Sequence, residues 1–202
     1  MQELTLYTNP QSRGRIARWM LEEIGQPYDA VVLDFPTTMK DPEYLALNPM
    51  GKVPTLTHGT TIVTECAAIC TYLADAFPKA GLMPGDRGAF YRWMFYAAGP
   101  LEAAITDRVL GLTVPFDQMA FVGYGHFDLV IGTLERILAT QPYILGDSFS
   151  AADIYLGAQI GFGLRFKTLP PEPAFIAYWD RLKTRPALTR ANALDDALIV
   201  GN

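Results

Sequence analysis

Leu4-Thr5-Leu6-Tyr7-Thr8, then Asn9-Pro10-Gln11, then Ser12-Arg13-Gly14-Arg15-Ile16-Ala17-Arg18-Trp19-Met20-Leu21-Glu22-Glu23-Ile24-Gly25, is the stretch on which the fold turns. Leu4 to Thr8 reads as a short strand, and Asn-Pro breaks it. From Ser12 to Ile24 the apolar residues Ile16, Ala17, Met20, Leu21 and Ile24 recur at helical spacing, and Gly25 suits the position just past a helix end. Tyr28 to Leu33 is a second strand candidate, rich in β-branched residues. Phe35 to Lys52 holds three prolines and reads mostly as loop. Val53 to Thr57 and Thr61 to Thr64 flank His58-Gly59 as a hairpin, and a helix is expected from about Glu65 to Ala76. The order is β-α-β, then β-β-α.

Pro78 to Gly88 is rich in glycine and proline and reads as a linker. Strand signals then nearly vanish. Ala89 to Leu110 predicts a helix kinked at Gly99-Pro100, because proline removes a helix hydrogen bond. Further helices are expected over Asp117 to Ala139, Ala151 to Gly163, Pro173 to Thr184 and Ala187 to Leu198. The reading is a mixed α/β domain over residues 1–79, a linker over 80–88 and an all-helical domain over 89–202.

Composition limits the function. Half of the 202 residues are hydrophobic and 18% are charged, ample material for packed cores. A net charge of −5 without a Lys/Arg run argues against nucleic acid as the main partner, since phosphate binding needs a basic face. No stretch approaches the ~20 apolar residues of a membrane helix; the apolar segment Met119 to Leu134 carries His126 and Asp128. The N-terminal Met1-Gln2-Glu3-Leu4 has no cationic segment before an apolar run, so no signal peptide is expected. Cys66 and Cys70 form neither a Cys-x-x-Cys nor a disulfide framework, which makes a reducing, cytoplasmic compartment the expectation. Their spacing suits one helix face. His58 and His126 stand far apart without ligand-spaced partners, so His58 reads as a hairpin residue, His126 as a helix residue, and no metal is expected.

Three short motifs carry more. Phe149-Ser150-Ala151-Ala152-Asp153-Ile154 is a capping box, with Asp in the place of Glu, inside a hydrophobic staple. Met50-Gly51-Lys52-Val53-Pro54-Thr55-Leu56 starts a strand on a proline that cannot donate to a sheet. A cis Val53-Pro54 bond there would leave the Val53 backbone free for an extended ligand. Thr64-Glu65-Cys66-Ala67-Ala68-Ile69 puts a carboxylate at a helix start. Compensation of the helix dipole explains it without a ligand; a site for a zwitterion, ammonium on Glu65 and carboxylate on the helix amides, explains it with one.

Asn48-Pro49-Met50-Gly51-Lys52-Val53-Pro54 followed by Thr64-Glu65-Cys66-Ala67-Ala68-Ile69, the strand-turn-helix Leu6 to Gly25, and the Phe149 to Ile154 capping motif in a helical second domain together resemble the cytosolic glutathione transferases. The resemblance covers essentially the whole chain. It implies a thioredoxin-like glutathione-binding domain followed by an all-helical domain, glutathione as co-substrate, a homodimer, and a role in detoxification. It also implies the site. The backbone of Val53, before a cis Pro54, would pair with the cysteinyl part of glutathione; Glu65 would hold the γ-glutamyl ammonium, and the amide of Cys66 the γ-glutamyl carboxylate. Lys52 would meet the glycyl carboxylate, and Arg13 either steers the anionic tripeptide or is a solvated cation at the helix start. Where the family usually has serine this chain has Cys66, a weaker donor.

A hydroxyl or thiol just after the first strand meets the glutathione sulfur in this family. Ser12, as in the serine-type classes, is the first candidate; Tyr7, as in the tyrosine-type classes, is the alternative, with Asn9, Gln11 or backbone amides behind them. The expected activity is conjugation of the thiolate to small, mostly apolar electrophiles. The alternatives are another glutathione-dependent reaction (peroxide or disulfide reduction, dehalogenation, isomerisation) or a non-catalytic glutathione-binding protein.

Overall fold

A computed structural model of the chain describes residues 3–200. Four strands form one sheet in the order β2-β1-β3-β4. β1 (Leu4–Thr8) runs parallel to β2 (Asp29–Val32) and antiparallel to β3 (Thr55–His58), which pairs with β4 (Thr61–Thr64). A parallel pair needs a crossover connection, and α1 (Gly14–Ile24) supplies it. Alternation along β1 sorts the residues by face. Leu4, Leu6 and Thr8 are buried, while Thr5 and Tyr7 are half-buried. α1 packs on β1 and on α3 (Cys66–Ala76). Leu6 and Leu56 are fully buried; truncating a side chain in such a setting costs about 2–5 kcal/mol.

The segment 35–52, expected as loop, contains a 3-10 turn at Thr38–Lys40 and a short helix, α2 (Pro42–Leu47). Pro42 opens α2 rather than breaking it: at the first helical position its missing N–H has no partner to lose. Leu33, Met39 and Tyr44 form a small core, with Tyr7, Leu47 and Val53 packed against it.

The helical elements are α4 (Arg87–Tyr96), α5 (Glu102–Val109), α6 (Phe127–Leu138), α7 (Ala151–Phe166), α8 (Pro173–Leu182) and α9 (Pro186–Val200). Between α4 and α5 the expected kink is a π-helical turn, Ala97–Leu101, which accommodates Pro100. The helix expected from Asp117 instead begins at Phe127, after a 3-10 segment at Phe116–Phe121. Gly125, at φ 71°, lies in the break between them. The Ser150-Asp153 capping box is present. Asp153 goes beyond capping: besides the Ser150 N–H (2.9 Å) it accepts from the Ile144 N–H (2.7 Å) and the Tyr178 hydroxyl (2.8 Å). It thereby ties α7 to α8 and to the preceding loop. Burial pushes its carboxyl above the usual range.

The chain divides into two compact units. One runs to Met83 and takes back the chain from Thr184 onward; the other is Pro84–Lys183. The last helix, expected within the helical domain 89–202, therefore belongs with the sheet. α9 lies along α1, and the charges of α9 and of Arg185 just before it answer those of α1. Arg18 meets Asp195 at 2.8 Å, both side chains buried, while Arg185 pairs with Glu23 (2.6 Å) and Arg190 with Glu22 (3.0 Å).

Candidate functional site

The pairing register sets three loops side by side. Tyr7 is opposite Thr55, and Thr55 is opposite Thr64. The chain leaving β1, the chain entering β3 and the chain leaving β4 therefore emerge at the same end of the sheet. These are the segments that hold Ser12, Val53-Pro54 and Glu65-Cys66.

The first loop is held by its own polar groups. The buried Asn9 donates from its amide to the Leu33 carbonyl (2.8 Å) and accepts the Gln11 N–H (2.9 Å). The Ser12 hydroxyl donates to the Asn9 carbonyl (2.7 Å) and accepts the Gly14 N–H (2.9 Å). α1 starts at Gly14, two residues later than its apolar periodicity implies, with Arg13 in the cap position. Ser12 thus caps the helix from just outside it. A Cβ on Gly14 would fall 1.9 Å from Thr8 Oγ1. Only glycine lets α1 begin this close to β1.

In the second loop the Val53-Pro54 peptide is cis. Among the described residues, the Val53 amide and carbonyl have no hydrogen-bond partner. A brace that periodicity does not reveal supports this segment. The Tyr44 hydroxyl donates to the Lys52 carbonyl (2.5 Å), as does the Asn48 amide (2.8 Å). Thr55 Oγ1 lies 2.9 Å from the Tyr44 oxygen and 3.2 Å from the Asn48 amide nitrogen. With the Tyr44 proton committed to Lys52, Thr55 donates to Tyr44 and accepts from Asn48. Burial raises the Tyr44 phenol above its ordinary value. The Lys52 side chain is exposed.

Glu65 is the conformational outlier of the third loop. It caps α3 at φ 65°, ψ 120°, its side chain exposed. A left-handed non-glycine residue stores about 1–3 kcal/mol of strain, and such residues cluster at functional sites. Next to it, the Cys66 thiol donates to the Arg13 carbonyl at 3.6 Å, joining the starts of α3 and α1. Cys66 and Cys70 are both buried free thiols. The Cys66 contact, helped by burial, pushes the Cys70 thiol well above its ordinary value.

Tyr7 alternates with Leu6 and Thr8, so it faces away from α1. Its ring packs on Tyr44 with centroids 5.7 Å apart. The histidines have other partners: His58 lies 2.8 Å from the Tyr72 hydroxyl. His126, expected inside a helix, instead caps α6, its Nδ1 accepting the Leu129 N–H at 3.3 Å. Among the described residues no group of three or more His, Cys, Asp or Glu is placed to hold a metal, and no helix is long and apolar enough to cross a membrane.

The family model for the glutathione S-transferase N-terminal domain matches residues 13–76, spanning the second and third loops, and that for the C-terminal domain matches residues 102–172. The chain belongs to the glutathione S-transferase family. Members of this family are transferase enzymes. A glutathione S-transferase of Xanthomonas campestris pv. campestris is 30% identical over 164 residues, covering 76% of this chain and 79% of its own. A glutathione S-transferase-like protein of Beauveria bassiana is 30% identical over 204 residues, covering 89% of each. Among solved structures, the theta class glutathione S-transferase of Xanthomonas axonopodis pv. citri, with glutathione bound, superposes with a TM-score of 0.72 at 30% identity, covering 95% of this chain and 97% of that one. The fold is accordingly the thioredoxin-like N-terminal domain with an all-helical C-terminal domain.

Proposed function

We propose that this chain activates the thiol of glutathione at the end of the sheet where its three loops emerge and transfers it to small, mostly apolar electrophiles. The observation that carries the reading is the convergence of three complementary features. Val53 offers an unpaired backbone next to a cis proline, Glu65 offers an exposed carboxylate in a strained conformation, and Ser12 stands at the start of α1. Val53 would pair with the cysteinyl peptide unit and Glu65 with the γ-glutamyl ammonium. The Cys66 amide would take the γ-glutamyl carboxylate, and Lys52 and Arg13 would attract the anionic ends. The glutathione-binding domain, read as residues 1–79, gains α9 as a further element. The same reading makes the protein a cytoplasmic homodimer, a state that size-exclusion chromatography with light scattering checks.

The energetics ask little of the site. A free thiol has a pKa of about 8.5, and lowering it by ~2 units takes about 2.7 kcal/mol at ~1.36 kcal/mol per unit. A hydrogen bond to a charged group supplies roughly 1.5–3 kcal/mol. The Ser12 hydroxyl needs only to turn its proton from the Asn9 carbonyl to the sulfur, while the Gly14 N–H keeps donating to its oxygen. The thiol proton leaves to solvent, the thiolate forms the carbon–sulfur bond, and the leaving group departs with its electron pair.

The test pairs calorimetric titration with glutathione and a conjugation assay on a chromogenic aryl halide. Binding in the micromolar to low-millimolar range, roughly −4 to −8 kcal/mol, together with turnover supports the reading. Binding without turnover on any electrophile reduces the chain to a glutathione-binding protein, and no heat at millimolar glutathione refutes the site.

A further inference from the structure

The polar face of α1 is matched residue by residue to α9 and its lead-in, and one of its four charged residues also reaches the loop that follows β1. Arg18, Glu22 and Glu23 bond within α1, to α9 or to its lead-in, and to Tyr28 beside them. Arg15 instead reaches back into the thiol loop. Its Nε donates to the Pro10 carbonyl at 2.6 Å, while the far side of the same guanidinium donates to Asn192 Oδ1 (3.3 Å) and Asp196 Oδ1 (2.5 Å) of α9. One planar fork therefore spans the loop and the last helix, with three directions fixed by three acceptors. Pro10 stands two residues before Ser12 and next to Asn9, whose carbonyl receives the Ser12 hydroxyl.

The two arginine contacts to α9 divide the work. Arg18 and Asp195 are buried as a pair, with side chains 4% and 0% exposed; breaking a buried pair destabilises strongly. The Asp196 side chain is 64% exposed and that of Arg15 16%, and an ion pair with an exposed partner adds little to stability. The Arg15–Asp196 ion pair thus adds little to stability by itself, while the bond from the same guanidinium to the Pro10 carbonyl is well placed to fix the Asn9-to-Ser12 loop.

We propose that Arg15, anchored by Asn192 and Asp196, is a positioning residue for the thiol-activating loop, so that the C-terminal helix helps set the geometry at Ser12. This rests on the reading of that loop as the thiol site. Without the brace the Pro10 carbonyl loses its charged donor, and the hydroxyl no longer sits at a fixed distance from the sulfur. Ionisation of bound glutathione suffers first, since it depends on that distance. Affinity suffers little, since the tripeptide is held by the other two loops.

The experiment uses the full chain and three measurements: thiolate absorbance of bound glutathione against pH, kcat and KM for conjugation, and the calorimetric Kd. The variants are Arg15→Ala, Arg15→Lys, the Asn192→Ala/Asp196→Ala double, and Arg190→Ala as a control elsewhere on α9. Arg15→Ala and the double variant are expected to raise the bound-thiol pKa by about one unit, which is tenfold in ionisation. They should lower kcat at neutral pH several-fold and leave Kd within about twofold. Arg15→Lys, a point charge in place of a fork, is expected to recover less than half of the shift. Arg190→Ala should leave the thiol pKa in place. An unmoved pKa in both Arg15→Ala and the double variant overturns the proposal, and so does an equal shift in Arg190→Ala, which would make α9 a stabilising strap only. Ser12→Ala run in parallel separates the two readings. A shift with Arg15→Ala but none with Ser12→Ala keeps the brace and moves the sulfur contact to the loop amides. Glutathione that fails to bind the unaltered chain removes both.

Discussion

Replacing Glu65 with glycine and with alanine separates what this residue costs the fold from what it does for the ligand. Both substitutions delete the carboxylate, but only glycine relieves the backbone at φ 65°, ψ 120°. The strain of a non-glycine residue there is about 1–3 kcal/mol. Against this, glycine loses more freedom on folding than alanine, by about 0.5–1 kcal/mol. Taking the middle of each range, the difference leaves Glu65→Gly more stable than Glu65→Ala by about 1 kcal/mol, in the same direction as the ordinary preference for glycine over alanine at a helix N-cap. The two variants should weaken glutathione equally. Loss of a charged hydrogen bond of roughly 1.5–3 kcal/mol corresponds to about 10- to 150-fold in Kd. Urea denaturation of the full chain reads the first quantity and calorimetry the second. An alanine variant as stable as the glycine variant would refute the strain assignment. Wild-type affinity in Glu65→Ala would refute the ammonium contact.

Ser12→Ala should raise the pKa of bound glutathione by about a unit or more and cut turnover about tenfold with little change in affinity. Tyr7→Phe should do less, its ring packing on Tyr44 away from α1; the opposite ranking in the thiolate titration would give the sulfur to Tyr7. Cys66→Ser should keep or tighten glutathione binding, because the backbone amide is retained and a hydroxyl is the better donor; a marked loss by calorimetry would assign a role to the thiol. Asp153→Ala should destabilise by about 3–7 kcal/mol, losing a cap of ~1 kcal/mol and stranding the buried partners on Ile144 and Tyr178 at roughly 1–3 kcal/mol each, which thermal unfolding would register as a fall in Tm. Tyr28 is pushed up to about 12, chiefly by burial. A phenol whose folded pKa is raised adds stability that is full below its ordinary value near ~10 and is lost as pH climbs toward the folded value. Tyr28→Phe should therefore unfold less steeply than wild type above that pH, and parallel curves would contradict the assignment.

Local pattern in the sequence determined a good deal. The alternation of Leu4, Leu6 and Thr8, the apolar spacing from Ile16 to Ile24 and the glycine at position 25 are enough for a strand, a helix and its end, because each is a preference acting within a few residues. The Ser150-Asp153 box was legible for the same reason, both halves lying one helical turn apart. The order of Val53-Pro54 and Glu65-Cys66 along the chain pointed to the ligand's class through the family resemblance. Prolines misled where position within a helix decides their effect: Pro42 opens α2 in a segment read as loop.

What the tertiary structure decided involves residues that no short window contains. The Arg15 and Arg18 contacts to α9 join positions 177 to 181 residues apart. The apolar face of α1 is visible in its periodicity, yet nothing local says which distant helix will answer its polar face. The brace of Tyr44, Asn48 and Thr55 on the Lys52 carbonyl depends on a sheet register and a loop path, not on spacing. The positive φ of Glu65 is likewise not a local preference: the sequence shows a good helix-start acid, whereas the folded chain holds it at φ 65° where β4 joins α3. Short-range propensity selects the elements, but the free energy that fixes their partners comes from packing between surfaces far apart in the chain, and only the folded chain brings those surfaces together.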